Sequence, residues 1–285
     1  MAELHITASG MTLLAPKGFK RTQKYLTGNA PDLPLHILIS NHDPVTHIWD
    51  SELLYRILSN PIKRKTLTLK LYTFALQNHI VGINIDFEEL DEKTLPYYLI
   101  FLEELSKKLH IVDKILSVDV PLSNALYNLA EITKHVDLVF LMAYDEHWSD
   151  SLPGPIASRE WFIRGIRRAM RDIPRDKLVI TLGNYGYDWI LGTRQAVDLT
   201  VPQIQSLIRE SVASRILDPA SLNPVFYYLD ESRRDHVVWY LDTSTIQNEL
   251  SLLESSGISN IALWRLGSED PEIWNIFDRF VGRKK

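Results

Sequence analysis

The most constraining feature of this chain is an alternation. Short apolar runs rich in β-branched residues recur along it, and longer segments of helical period lie between them. That is the pattern of βα units, in which crossover helices join parallel strands. Seven runs read as strands, at residues 4–14, 35–41, 80–87, 115–121, 136–144, 177–185 and 258–266. Between them, residues 94–110 set Leu95, Tyr98, Leu99, Leu102, Leu105 and Leu109 on one face at three- and four-residue spacings, as a helix covering a sheet requires. Residues 158–173 and 243–256 behave alike, and Gly257 stands where a helix C-cap is expected.

Residues 223–241 interrupt the alternation with two aromatic runs around a charged turn, and read as a β-hairpin inserted before the last strand. No repeat or low-complexity linker divides the sequence, so all 285 residues are expected to form one domain, an α/β TIM-type (β/α)8 barrel. Closure of that barrel needs eight strands, and seven are found. The first strand is therefore expected to be missing, with the resulting seam covered by another copy, by the N-terminal residues, or by a strand of a longer parent protein.

Composition removes several functional classes. The net charge is −5 with Lys and Arg scattered, so nucleic acid is not expected as a partner. The basic clusters at residues 63–65 and 164–171 read as solvated helix faces. Cysteine is absent, which excludes disulfides and thiolate chemistry. Residues 1–10 lack the pattern of a signal peptide, and no run approaches the roughly 18 apolar residues of a membrane span, so neither is expected in this chain.

Residues 81–88 alternate strictly, placing Asn84, Asp86 and Glu88 on one face of a strand and Ile83, Ile85 and Phe87 on the other. Polar groups on a buried strand face cost several kcal/mol unless they are paired or used. Glu89, Asp91 and Glu92 are ordinary for an acidic loop at a helix start. Asp86, inside the strand, is not.

These residues carry a resemblance to the family 18 glycoside hydrolases, the chitinase-like barrels whose fourth strand bears DxxDxDxE. Here the four positions are Val81, Asn84, Asp86 and Glu88, so the two later acids match and the two earlier ones are replaced. Leu141-Met142-Ala143-Tyr144-Asp145 resembles the family's MxYD strand end, and Ile261-Ala262-Leu263-Trp264 its last strand. Tyr144 to Trp148, Pro153 to Ser158, Tyr185 to Trp189 and Leu263 to Asp270 are similar to a bacterial branch that includes spore-cortex glucosaminidases and domains fused to polysaccharide deacetylase or glycosyltransferase modules.

The resemblance implies a hydrolase of N-acetylglucosamine-containing polysaccharide that works by substrate-assisted catalysis and acts outside the cytoplasm. It implies Glu88 as proton donor, with Asp86 and Tyr144 as its catalytic companions. Asn84, Asp145, Trp264, Tyr185 and Trp148 are implied as substrate contacts, with Trp189 a further candidate. Asn84 in place of an acid implies one site fewer for a shared proton. No cofactor is implied, and His147 and His236 are not spaced as metal ligands. A non-catalytic saccharide-binding barrel and an accessory domain of a multidomain wall-polymer protein are the competing readings.

Overall fold

A computed structural model describes residues 2–6, 13–14, 19–30, 32–43, 45–46, 48–78, 80–123, 125–193 and 196–282. The chain divides into two compact units, one of residues 1–120, 124–140 and 172–177, the other of residues 121–123, 141–171 and 178–285.

The first unit contains β1 (Ala2–Ile6), β2 (Leu13–Leu14), α1 (Phe19–Asn29), β3 (His36–Ser40), α2 (Ser51–Leu58), α3 (Pro61–Gln77), β4 (Gly82–Asp86), α4 (Leu95–His110), β5 (Ile115–Pro121), α5 (Leu129–Ile132) and the start of β6 (Leu138–Met142). β1, β3, β4 and β5 pair in parallel, with Ser40 abreast of Asp86 and Asn84 abreast of Ser117. Local chemistry starts the helices: Asp50 accepts from the Leu53 amide, and Asn60 accepts from the Ile62 and Lys63 amides with Pro61 in the first turn.

All five residues of β4 are buried. Phe87, just beyond it, is fully buried and stacks on Phe101 of α4, with ring centroids 5.8 Å apart and Tyr98 6.0 Å away. This packing fixes the end of the strand.

Two expectations are corrected here. The run at 4–14 is not one strand: β1 pairs with β2 antiparallel, His5 opposite Leu14 and Ile6 opposite Leu13, and residues 7–12 lie outside the described residues. A period of two is the same in either strand direction, so the pattern could not register the reversal. The edge of β1 away from β3 is thereby paired, by the N-terminal residues themselves. The second correction is Arg64, which is buried rather than solvated. Its Nη1 donates to the Leu58 carbonyl at 2.6 Å, and its Nε lies 3.2 Å from Glu104. A guanidinium can be buried when its donors are met.

The second unit holds α6 (Arg159–Asp172), β7 (Leu178–Gly183), β8 (Tyr185–Ile190), β9 (Ala196–Thr200), α7 (Val201–Glu210), β10 (Ile216–Leu217), β11 (Pro224–Leu229), β12 (Asp235–Tyr240), α8 (Thr243–Ser255), β13 (Ile261–Trp264) and α9 (Ile273–Gly282). β7 and β13 pair in parallel, Gly183 abreast of Trp264. The expected hairpin is present as β11 and β12, with Phe226 opposite Val238. It is not isolated, because it belongs to a five-stranded antiparallel sheet ordered β10-β11-β12-β8-β9. β8 follows β7 after Asn184 alone, and the run at 177–185 takes in β7 and only the first residue of β8. A side chain at Gly186 would collide with the Trp239 carbonyl and Tyr240, so glycine is what lets β8 and β12 approach. Gly257, at φ 69°, follows the C-cap Ser256 of α8 as expected.

No helix of the described residues is long and apolar enough to cross a membrane. One residue of α8 is costly where it stands. Glu249 is 4% exposed, and neither carboxyl oxygen has a hydrogen-bond partner among the described residues. Burial pushes its carboxyl well above the usual range.

Two outcomes follow from this packing. Truncating Phe87 to Ala removes a fully buried ring and is expected to cost about 3–5 kcal/mol in a urea unfolding titration. Glu249 keeps its proton in the folded chain while an unfolded carboxyl gives it up, so its contribution is intact below the ordinary glutamate pKa and is lost as pH rises toward the raised value. Glu249→Gln should therefore raise the melting temperature at about pH 8 and change it little at about pH 4. An equal gain at both pH values would show that Glu249 does not carry this proton.

Candidate active site

In the first unit the site is built on the C-terminal ends of β3, β4 and β5. Asn84 is fully buried, Asp86 is 7% exposed, and Glu88 is half-buried two residues beyond the strand. The backbone of Glu88 is clamped by a side chain at the end of β3. Its amide donates to Asn41 Oδ1 at 2.9 Å, and Asn41 Nδ2 donates to its carbonyl at 3.1 Å. Tyr127 donates its hydroxyl to the Phe87 carbonyl at 2.7 Å. These bonds anchor the strand end up to the loop that follows, where Glu89 takes a left-handed φ of 54°.

Asn84 is held by β5. Ser117 Oγ donates to Asn84 Oδ1 at 2.8 Å, which turns the amide nitrogen toward Asp119, and Nδ2 donates to Asp119 Oδ2 at 2.5 Å. Asp119 is itself 7% exposed. Burial first, and the charge of Asp86 next, push the Asp119 carboxyl well above the usual range; the Asn84 hydrogen bond opposes this, and Glu88 adds to it more weakly. Tyr98, fully buried on α4, is raised by the same burial and by the charges of Asp119 and Asp86.

In the second unit Tyr144 and Asp145 follow β6, whose continuation is tied to β7 by the Ala143 amide on the Thr181 carbonyl at 3.0 Å. Asp145 adopts a left-handed φ of 61°. Its Oδ1 accepts from Tyr185 at 2.5 Å and from Tyr187 at 3.1 Å, both on one face of β8. Burial pushes the Asp145 carboxyl up to about 6, against the two tyrosine hydrogen bonds. The Tyr144 and Tyr185 rings meet edge-on at 5.9 Å.

Trp264 ends β13, half-buried against the cluster that contains Tyr144, Tyr185 and Tyr187. Asn184 brackets the following residue, donating to the Arg265 carbonyl at 3.0 Å and accepting from its amide at 2.6 Å. Trp148 lies in an exposed loop, 47% accessible, with its amide on Ser151. Trp189 is fully buried in the core of this unit, which removes it as a surface for a sugar ring. His147 Nδ1 lies 2.9 Å from the Leu152 carbonyl, and His236 Nδ1 lies 2.8 Å from Asp188.

The structure thus brings Asn84, Asp86 and Glu88 together in one unit, and Tyr144, Asp145, Tyr185 and Trp264 together in the other. Sequence reasoning missed Tyr187 and Asp119. Asp119 was within reach of the argument that singled out Asp86, since Ser117 and Asp119 interrupt the apolar strand Ile115–Pro121 with the same period of two.

The chain matches the glycosyl hydrolases family 18 model over residues 19–270. It is 29% identical over 249 residues to the uncharacterized glycosylase YvbX of Bacillus subtilis (strain 168), covering 83% of this chain and 72% of that protein. It is 29% identical over 251 residues to the cortical fragment-lytic enzyme of the same organism, covering 82% of this chain and 58% of that protein, so it spans less than two thirds of that relative. The chitinase from Chromobacterium violaceum ATCC 12472 shares its fold with a TM-score of 0.89 at 23% identity, over 99% of this chain and 90% of that one. The fold is accordingly that family's (β/α)8 barrel. A match over residues 19–270, which takes in α1 to β13, makes this chain a member of glycosyl hydrolases family 18.

Proposed function

We propose that residues 1–285 act as one catalytic domain that hydrolyses N-acetylglucosamine-containing polysaccharide with retention, the sugar's own acetamido oxygen serving as nucleophile. The observation that carries this reading is the end of β4, where a half-buried Glu88 follows a buried Asp86 on the same strand. Glu88 protonates the leaving glycosidic oxygen as the acetamido oxygen attacks the anomeric carbon. As the anion, it then takes a proton from the water that opens the oxazolinium intermediate, which restores the acid and the acetamido group.

Asp86 accepts the acetamido N–H and opposes the positive charge that develops on the oxazolinium ring. Tyr144 donates its hydroxyl to the acetamido oxygen, Asp145 takes a sugar hydroxyl, and Trp264 offers a flat apolar face to a pyranose ring. Asn84 is fully buried and bonded to Ser117 and Asp119, so it acts on the sugar through the residues it orders. Tyr185 is likewise occupied with Asp145 and acts by placing it. Trp148, exposed in its loop, serves a more distant subsite. The similarity to a cortical fragment-lytic enzyme favours a cell-envelope glycan over chitin, and action outside the cytoplasm.

Glu88→Gln keeps the shape of the side chain and removes its proton, so turnover of a chitooligosaccharide or peptidoglycan fragment should fall about a hundred- to ten-thousand-fold while the melting temperature is unchanged. Near-wild-type turnover would sink the assignment. If the acetamido group is the nucleophile, a fully deacetylated oligomer should resist cleavage and a thiazoline mimic of the oxazolinium ion should inhibit. Comparable cleavage of a glucosamine polymer would instead point to a two-carboxylate mechanism.

A further inference from the structure

Asp119 is a buried acid for which the mechanism above has no use. We propose that it is a positioning residue of the same active site, a carboxyl on β5 that governs the charge of Asp86 and Glu88 from the neighbouring strand; the inference rests on the proposed hydrolytic role of Glu88. Three observations support it. The register sets Asn84 abreast of Ser117 and Ile85 abreast of Val118, and one further step brings Asp119 beside Asp86. The hydrogen bonds run in one direction, from Ser117 to Asn84 and from Asn84 to Asp119, so the asparagine has a single orientation and Asp119 Oδ2 a fixed place. Among the described residues, the groups whose charge reaches Asp119 are Asp86 and then Glu88 from the end of β4, and Tyr98 faces it from α4.

Carboxyls so placed cannot ionise together without cost, and burial together with the charge of Asp86 favours the proton on Asp119. While neutral, Asp119 adds no charge beside Asp86, which stays available to oppose the oxazolinium ion. As pH rises and Asp119 ionises, its charge increases the proton affinity of Glu88 and extends the range in which Glu88 is an acid. Asn84 does not diminish the proton-holding capacity of the site, as the sequence alone suggests; the acid stands one strand over.

The test uses Asp119→Asn, which preserves shape and still accepts from Asn84, and the exchange variant Asn84→Asp with Asp119→Asn, which returns a carboxyl to β4. In Asp119→Asn the alkaline limb of kcat/KM should move to lower pH by about one pH unit, and the exchange should restore it. A limb that does not move, or a rate lowered equally at every pH and not restored by the exchange, would overturn the proposal and leave Asp119 a structural hydrogen-bond acceptor. Glu88→Gln, assayed beside them, separates the two ideas: if it retains full activity, the hydrolytic reading of Glu88 fails whatever Asp119 does. Carbon-13 NMR titration of the labelled carboxyls gives a readout independent of activity. Titration of Asp86 and Glu88 should fall to lower pH in Asp119→Asn, and unchanged titrations would refute the coupling.

Discussion

The first unit is organised around the cost of placing carboxyls on a buried strand. Asp86 and Asp119 stand on adjacent parallel strands, each 7% exposed, where an isolated charge would be expelled. The structure meets that cost locally. One asparagine, oriented by one serine, supplies a donor to Asp119, and burial shifts the remaining imbalance onto proton affinity. Asn84, joined to Ser117 and Asp119, puts a neutral side chain beside the acids where a third charge would otherwise stand.

The stiffness of the surroundings makes such a group useful. Glu88 lies beyond the last residue of β4, where loops ordinarily loosen, yet Asn41 holds both its amide and its carbonyl and Tyr127 holds the carbonyl before it. On the other side of the strand, Phe87 is locked between rings of α4. The side chain that would give and take a proton therefore starts from a fixed backbone, as catalysis by positioned groups requires.

The second unit solves a similar problem with aromatics. Asp145 is half-buried, and two tyrosines on one face of β8 direct hydroxyls at the same oxygen. Those tyrosines also form an edge-to-face series running from Tyr144 to Trp189. Hydroxyls on rigid rings give Asp145 a defined orientation at little entropic cost. The antiparallel sheet that carries them is thus more than an ornament between β7 and β13.

Much of this was legible in the residues themselves. The alternation of β-branched runs and helical periods marked the strands around 36–40, 82–86 and 115–121, because side-chain periodicity is a local property of each element. The same logic put Asn84, Asp86 and Glu88 on one face. Three strand ends in order carried the resemblance to family 18. What only the tertiary structure decided depends on pairing between distant segments. The reversal from β1 to β2, the extension of the hairpin into five strands by β8, β9 and β10, the burial of Arg64 and Trp189, and the meeting of Asp119 with Asn84 all join residues that no local period relates. A sequence records which faces of an element are apolar. Which polar group on one strand will answer a polar group on the next is set by register, and register exists only once the strands have paired.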